Sequence, residues 1–469
     1  MELRHIQPAL PTPYDPVPPD QVSTGVEGFD TLLGGGLPEG RMYLVEGRPG
    51  TGKTTLALQF VLTGQNQGER ALYITLSQTR AELEQIAHSH GWRIDGVDVF
   101  GFDVDELSVQ QEEQTLFPTA DIDLSETVQR IQRRVEEVGP TRVVFDSAAE
   151  IRLLAGNVMR TRRQFLMLRD FFTQRGITVL VLDDESSRSD ETAIHLMHGV
   201  LRLEQLAPPY GKLYRRLRLM KLRGMPHPTG YHDFRIVTGG VEVFPSLQTP
   251  DAQPERDPEL LKSGVESIDA LLGGGLDYGA SALILGVAGT GKSSLASLFA
   301  LAAARKGERA AIYTFDERRE TLLLRSDSLG LDVRSHVEAG DVFVDEMSPS
   351  HISSGEFTAC IRRNVEEEGI RVVVLDSLTG YLATVPEQRR AGTQLHDLLV
   401  YLGRRGVLTL IAVPQHGLFG PEVDSQLDVS YLADTVLLLR HSEAPGTLCR
   451  AISVVKRRRG GHDAGIRNF

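Results

Sequence analysis

Residues 24–60 read TGVEGFDTLLGGGLPEGRMYLVEGRPGTGKTTLALQF, and residues 263–299 read SGVESIDALLGGGLDYGASALILGVAGTGKSSLASLF. The two stretches agree at roughly 20 of 37 positions, without a gap, at an offset of 239. Agreement of that kind marks an internal repeat. It continues downstream, where RVVFDS (142–147) answers RVVVLDS (371–377) and MKLRG (220–224) answers VKRRRG (455–460). The chain therefore reads as two copies of one domain, residues 21–247 and 259–469. A Pro-rich arm, 1–20, precedes them, and the polar, Pro-containing segment QTPDAQPERDP (248–258) links them.

Within each copy short apolar runs alternate with amphipathic segments. YLVEG, ALYITL, VDVFGF, RVVFDS and ITVLVLD predict buried strands, while TTLALQFVLTGQ, AELEQIAHSHG and SETVQRIQRRVEEVG predict the helices between them. That alternation predicts an α/β fold, with a mainly parallel sheet covered by helices in each copy. YRRLRLMKLR (214–223) alternates like a late, partly exposed strand.

GRPGTGKT (47–54) and GVAGTGKS (286–293) both fit GxxxxGK[ST], each between a strand and a helix. Such a loop curls backbone N–H groups around phosphates at a helix N-terminus. The expected nucleotide ligands are Gly47, Gly50, Thr51, Gly52, Lys53, Thr54 and Thr55 in one copy. In the other they are Gly286, Gly289, Thr290, Gly291, Lys292, Ser293 and Ser294. Lys53 and Lys292 are expected to reach the outer phosphates of ATP. Thr54 with Asp146, and Ser293 with Asp376, are expected to hold Mg2+, because each aspartate ends a buried strand near its phosphate loop.

One position breaks the symmetry. LYITLSQTR (72–80) places Ser77 and Gln78 where AIYTFDERRE (311–320) places Asp316 and Glu317. A carboxylate there can take a proton from an attacking water or hydroxyl; an amide cannot, although it can orient a water. Late in each copy, Lys221 with Arg223, and Lys456 with Arg458, share a face if they lie on a strand. Cations so paired can neutralise the terminal phosphate of a site on a neighbouring subunit.

The net charge of −13 argues against a general nucleic-acid binder. Two widely spaced cysteines, Cys360 and Cys449, point away from a disulfide framework or a zinc site and toward the cytoplasm. No apolar leader core and no membrane span are expected.

Taken together, GVExxDxLLGGGL, both phosphate loops, the FDS and LDS strand ends, the carboxylate position, the K-x-R pairs and the ending GGHDAGIRNF resemble the KaiC family of RecA-like ATPases over nearly the whole chain. The resemblance implies two tandem RecA-like domains in a homohexameric double ring, with ATP between subunits in both tiers. It also implies ATPase activity and, in the second copy, Ser/Thr autokinase and autophosphatase activity serving a clock or signalling. The family's adjacent Ser-Thr phosphoacceptor pair falls on Ser430 and Tyr431 of DVSYLADTVLLL, so a single-site cycle at Ser430 is expected. Similar proteins carry paired glutamates in the first tier; with Ser77 and Gln78 there, this first tier is expected to bind ATP and hydrolyse it poorly. Glu317, with Asp316, is then the expected activator of a water or of the Ser430 hydroxyl, and Lys292, Lys456 and Arg458 the stabilisers of the transferred phosphoryl group. Clock members extend past the final IRxF segment into a tail used by an activating partner; the sequence stops at Phe469 without that tail, which tells against a true clock role as the expectation.

Two other classes fit parts of the sequence. A non-enzymatic scaffold would assemble with ATP and dock a signalling protein such as a response regulator or histidine kinase, with negligible turnover. A RecA-like DNA-acting ATPase would find local support only in KRRR (456–459).

Overall fold

A computed structural model of the chain describes residues 20–101, 119–184, 192–207, 212–247, 259–385, 388–415, 431–444 and 447–468. The linker, all of the N-terminal arm except Asp20, and Ser430 lie outside the described residues. The chain divides into two compact units: Met1–Glu204 with Arg216–Tyr231 and Arg235–Val243, and Gln205–Arg215 with His232–Phe234 and Phe244–Phe469.

Each copy opens with a small antiparallel pair, β1 (Gln21–Val22) with β2 (Leu37–Pro38), and later β12 (Leu260–Leu261) with β13 (Leu276–Asp277). The repeated GVExxD and LLGGGL have structural work here. The Asp30 carboxylate accepts from the Thr24 N–H at 2.8 Å and from the Ser23 and Thr24 hydroxyls, and Asp269 accepts from the Ser263 N–H at 2.7 Å. At Gly36 and Gly275 a Cβ would lie 2.3 and 2.5 Å from the Val22 and Leu261 carbonyl oxygens, so only glycine lets the two short strands close.

The first sheet has nine strands in the order β11-β10-β9-β8-β3-β7-β6-β4-β5. Their ranges are β3 Met42–Gly47, β4 Ala71–Thr75, β5 Asp98–Gly101, β6 Arg142–Asp146, β7 Thr178–Asp183, β8 Gly199–Leu206, β9 Tyr214–Leu222, β10 His232–Val237 and β11 Gly240–Phe244. From β8 to β5 the ladder is parallel. Every residue of β3, β4, β6 and β7 is buried, which is why these runs are mostly apolar on both faces rather than alternating, with charges only at or next to the strand ends. β9, by contrast, buries Leu217, Leu219 and Leu222 and leaves its arginines half-exposed, the alternation its sequence predicted.

The second sheet has eight strands in the order β16-β15-β17-β18-β14-β19-β20-β21. These are β14 Ser281–Gly286, β15 Arg309–Thr314, β16 Val342–Glu346, β17 Ile370–Asp376, β18 Leu408–Pro414, β19 Thr435–Ala444, β20 Thr447–Arg457 and β21 Arg467–Asn468. It is parallel from β16 to β19 and antiparallel in its last two pairings. Apolar cores fill both faces of this sheet, around Phe299 on one side and Phe357 and Tyr381 on the other. In each copy the phosphate-loop strand, β3 or β14, runs near the centre. Its carboxyl end lies in the crevice where open α/β sheets bind ligands.

Candidate nucleotide sites

Gly47 and Gly286 end β3 and β14, and the helices Lys53–Asn66 and Lys292–Arg305 begin six residues later. The residues capping these helices, Gly52 and Gly291, have φ of 101° and 99°, a left-handed conformation that favours glycine. Neither helix has a side-chain cap, so its first N–H groups remain available to an anion. Thr51 and Thr290 brace the loops, their hydroxyls donating to the Arg48 and Val287 carbonyls at 2.8 and 2.9 Å. Gly50 and Gly289 stand at the loop tips, also at positive φ. Thr55 is buried beneath its loop, 3.3 Å from His90 Nε2, while Thr54, Ser293 and Ser294 are half-buried.

Asp146 and Asp376 end β6 and β17, level with Thr75 and Thr314 on the adjacent strands. Burial pushes both carboxyls up. Tyr73 donates to Asp146 at 2.8 Å, and Ser293 hydrogen-bonds Asp376. Among the described residues, no group of three or more His, Cys, Asp or Glu could hold a metal on its own. A buried carboxylate beside a hydroxyl and a helix N-terminus instead suits Mg2+ that takes most of its shell from phosphate and water. The residues present therefore fit Mg-ATP, and they do so in both copies.

Around positions 78 and 317 the backbones match. Thr75 Oγ1 donates to the Gln78 carbonyl and accepts from its N–H, both at 2.9 Å; Thr314 Oγ1 does the same with Glu317 at 2.8 and 3.3 Å. One scaffold thus presents an amide in the first copy and a carboxylate in the second. Ser77 and Asp316 are exposed, whereas Gln78 and Glu317 turn inward. Asp316 is occupied, accepting from the Ser377 hydroxyl at 2.5 Å. Burial raises the Glu317 carboxyl, the nearby Arg325 lowers it, and the charge of Asp376 raises it further.

Two residues escaped the motif reading. Arg325 Nη1 lies 3.0 Å from Glu317 Oε2. In the first copy, Lys53 Nζ donates to Asp184 Oδ1 and to the Gly47 carbonyl, both at 2.7 Å. Lys292 Nζ donates to the Val287 carbonyl at 3.0 Å and makes no ion pair among the described residues. Strand register explains the difference, since Glu46 faces Asp183 while Leu285 faces Val413 and Gly286 faces Pro414. Asp184 thus stands where the second copy has Pro414. The signal was available in the self-alignment, as an acidic DD replacing VP beside a phosphate loop. Asp184 competes with phosphate for Lys53, so Asp184→Asn is expected to tighten ATP binding at the first site. The gain should be about two- to five-fold, the range of a partly exposed ion pair, measured by nucleotide titration of a Lys292→Ala background.

The K-x-R pairs are held by their own chain. Lys221 Nζ donates to the Ile194 and His195 carbonyls at 2.9 and 3.2 Å, and Arg223 Nη2 donates to the His195 carbonyl at 2.9 Å. Burial, and then Arg223, lower the Lys221 ammonium. In the second copy Lys456 lies on β20, and Arg458 donates to the Tyr431 carbonyl at 2.6 Å and faces Asp434.

Two phosphate loops at the carboxyl ends of parallel sheets, each with a buried strand-end aspartate, define a tandem RecA-like nucleotide-binding protein. The KaiC ATPase family profile matches residues 22–248 and 261–469, and the chain belongs to that family. The circadian clock oscillator protein KaiC of Thermostichus vulcanus is 26% identical over 472 residues, covering 98% of this chain and 89% of its own. The protein of the same name from Prochlorococcus marinus is 27% identical over 485 residues, covering 96% of this chain and 90% of its own. That of a Picosynechococcus species is 27% identical over 464 residues, covering 96% and 87%. Among the described residues, no helix is long and apolar enough to cross a membrane.

Proposed function

We propose that the protein is an ATP-driven Ser/Thr autokinase and ATPase in which the first copy chiefly holds ATP and the second turns it over. The observation that carries this reading is Glu317. An inward carboxylate with no aligned hydrogen-bond donor on its Oε2 sits near Asp376 in the second copy, where the same scaffold offers Gln78 in the first. In hydrolysis, Glu317 takes a proton from water as the water oxygen bonds to the γ-phosphorus and the bridging bond to ADP breaks. In autophosphorylation, the Ser430 hydroxyl takes the place of that water. Lys292 offsets charge on the transferred group, and Ser293 with Asp376 hold Mg2+, which lowers the charge of the phosphates when bound. Thr54 with Asp146 do the same in the first copy.

The assembly we propose is a homohexamer with ATP at subunit interfaces. There Lys221 with Arg223, and Lys456 with Arg458, exchange their present partners within the chain for a neighbour's phosphates. The cytoplasm suits such an assembly, and its output passes to a signalling protein.

The test is site-resolved. ATP hydrolysis of Lys53→Ala and Lys292→Ala chains is measured with nucleotide occupancy and oligomer size. Lys53→Ala is expected to lower assembly while assembled chains keep turnover; Lys292→Ala is expected to do the reverse. Equal turnover from the two sites removes the division of labour. Mass spectrometry after incubation with Mg-ATP is expected to find phosphate on Ser430, and an unmodified Ser430 removes it as acceptor.

A further inference from the structure

We propose that Arg325 is a positioning residue for phosphoryl chemistry in the second copy. It holds the Glu317 carboxylate in its working place, and the Glu317–Arg325 pair is the functional unit that the first copy lacks. The inference rests on the reading of Glu317 as proton acceptor.

Three observations carry it. The pair is mostly withdrawn from water, with side chains 29% and 21% exposed, so it is not a solvated surface bridge. It is also unsaturated. Nη1 faces Glu317 at 3.0 Å, while the buried Nε and Nη2 of Arg325 and Glu317 Oε2 itself have no hydrogen-bond partner among the described residues. The contact therefore restrains Glu317 by charge rather than through an aligned hydrogen bond. Finally, Arg325 also acts electrostatically on Asp376, which in turn acts on Glu317. A cation that acts on both acids offsets their mutual repulsion.

The chain supplies its own comparison. At the ungapped offset of 239, Arg325 corresponds to Ile86 as Glu317 corresponds to Gln78. Both positions lie on matching helices, Arg80–Ser89 and Arg319–Ser328, and both helices follow the same threonine-braced turn. Where the carboxylate is absent, so is its cation. An amide needs no counter-charge, and a half-buried arginine without its acid would be an unpaired, partly desolvated charge.

The test uses the full chain and compares Arg325→Ala, Arg325→Lys, Glu317→Gln and the Glu317→Gln/Arg325→Ala double variant. Arg325→Ala is expected to lower kcat for ATP hydrolysis about tenfold or more, a modest part of what a general base contributes, with KM for ATP nearly unchanged. Arg325→Lys is expected to regain part of the loss. The double variant should be no slower than Glu317→Gln. A raised KM at intact kcat, a wild-type kcat for Arg325→Ala, or a further loss in the Glu317→Gln background would each overturn the positioning role. Retained turnover in Glu317→Gln would instead overturn the reading of Glu317. A gain-of-function arm avoids any misfolding of the Arg325 variants. In a Lys292→Ala background, Gln78→Glu with Ile86→Arg is expected to raise first-site turnover above that of Gln78→Glu alone. Equal turnover would count against the pair acting as a unit.

Discussion

Glu317→Gln is expected to lower ATP turnover by about 10²–10⁴-fold while leaving ATP binding and assembly in place. The substitution is nearly isosteric and keeps the threonine-braced turn, since Thr314 bonds the backbone of residue 317 rather than its side chain. It removes the carboxylate's charge and with it the capacity to take a proton, and that capacity corresponds to roughly 3–5 kcal/mol of barrier. Ground-state affinity should hold or rise slightly, because a negative charge beside the phosphate site is lost. In effect the variant gives the second copy the residue that the first copy has at Gln78. Phosphate release under saturating Mg-ATP, with bound nucleotide counted on the same sample, separates the two effects. Turnover within about twofold of the parent would mean that Glu317 is not the base, since no general base contributes so little.

The parts of this molecule written in local sequence were legible without coordinates. The phosphate loops were legible because glycine, lysine and hydroxyl residues must stand at fixed spacing to wrap a phosphate. The parallel strands were legible because burial on both faces makes runs such as MYLVEG and TVLVLD mostly apolar. Even the residue asymmetry at Gln78 and Glu317 could be read, since the repeat aligns without gaps there. What stayed hidden depends on residues distant in sequence or on side-chain direction. Lys53 meets Asp184 across 131 positions, and only the comparison of DD in one copy with VP in the other points to it. Lys221 and Lys456 lie on β9 and β20, but Arg223 and Arg458 stand just past the ends of those strands, and the partners of Lys221, Arg223 and Arg458 are carbonyls 26–28 positions away that no motif marks. RVVFD was read as a buried strand with nothing to single out its arginine, and the structure places that arginine in the core.

That arginine, Arg142, carries the second large effect: Arg142→Ala is expected to destabilise the first copy by about 3–5 kcal/mol. Arg142 is 1% exposed. It grips Glu69 with two bonds of 2.7 and 2.8 Å, donates to Gln67 Oε1 at 2.8 Å, and donates to the Ser23 and Phe60 carbonyls at 2.6 and 3.2 Å. One side chain thereby ties the entry segment, the phosphate-loop helix and the turn after that helix to β6. Alanine would orphan the Ser23 carbonyl, leave the Glu69 carboxylate without its counter-charge though the Thr141 hydroxyl still donates to it, and open a void against Gly64, whose backbone the arginine stem approaches closely. Glu69 is 28% exposed and can recover some hydration, which places the effect toward the lower end of the range. At 2–4 °C per kcal/mol for a domain of this size, thermal unfolding of the first copy should fall by roughly 6–12 °C. Hydrogen bonding from Arg142 holds the Glu69 carboxyl below its ordinary value of 4.5. Because the folded value is depressed, the contribution is present above the ordinary value and disappears as pH falls through the folded one. Parent and variant should therefore differ most near neutrality and converge in acid. The second copy offers the contrasting solution: Ala310 pairs with Val372 where Ala71 pairs with Arg142, so an apolar residue closes the same place. A variant within about 1 kcal/mol of the parent at neutral pH would show that water replaces these bonds at little cost, and that the buried arginine contributes nothing that the valine of the second copy does not.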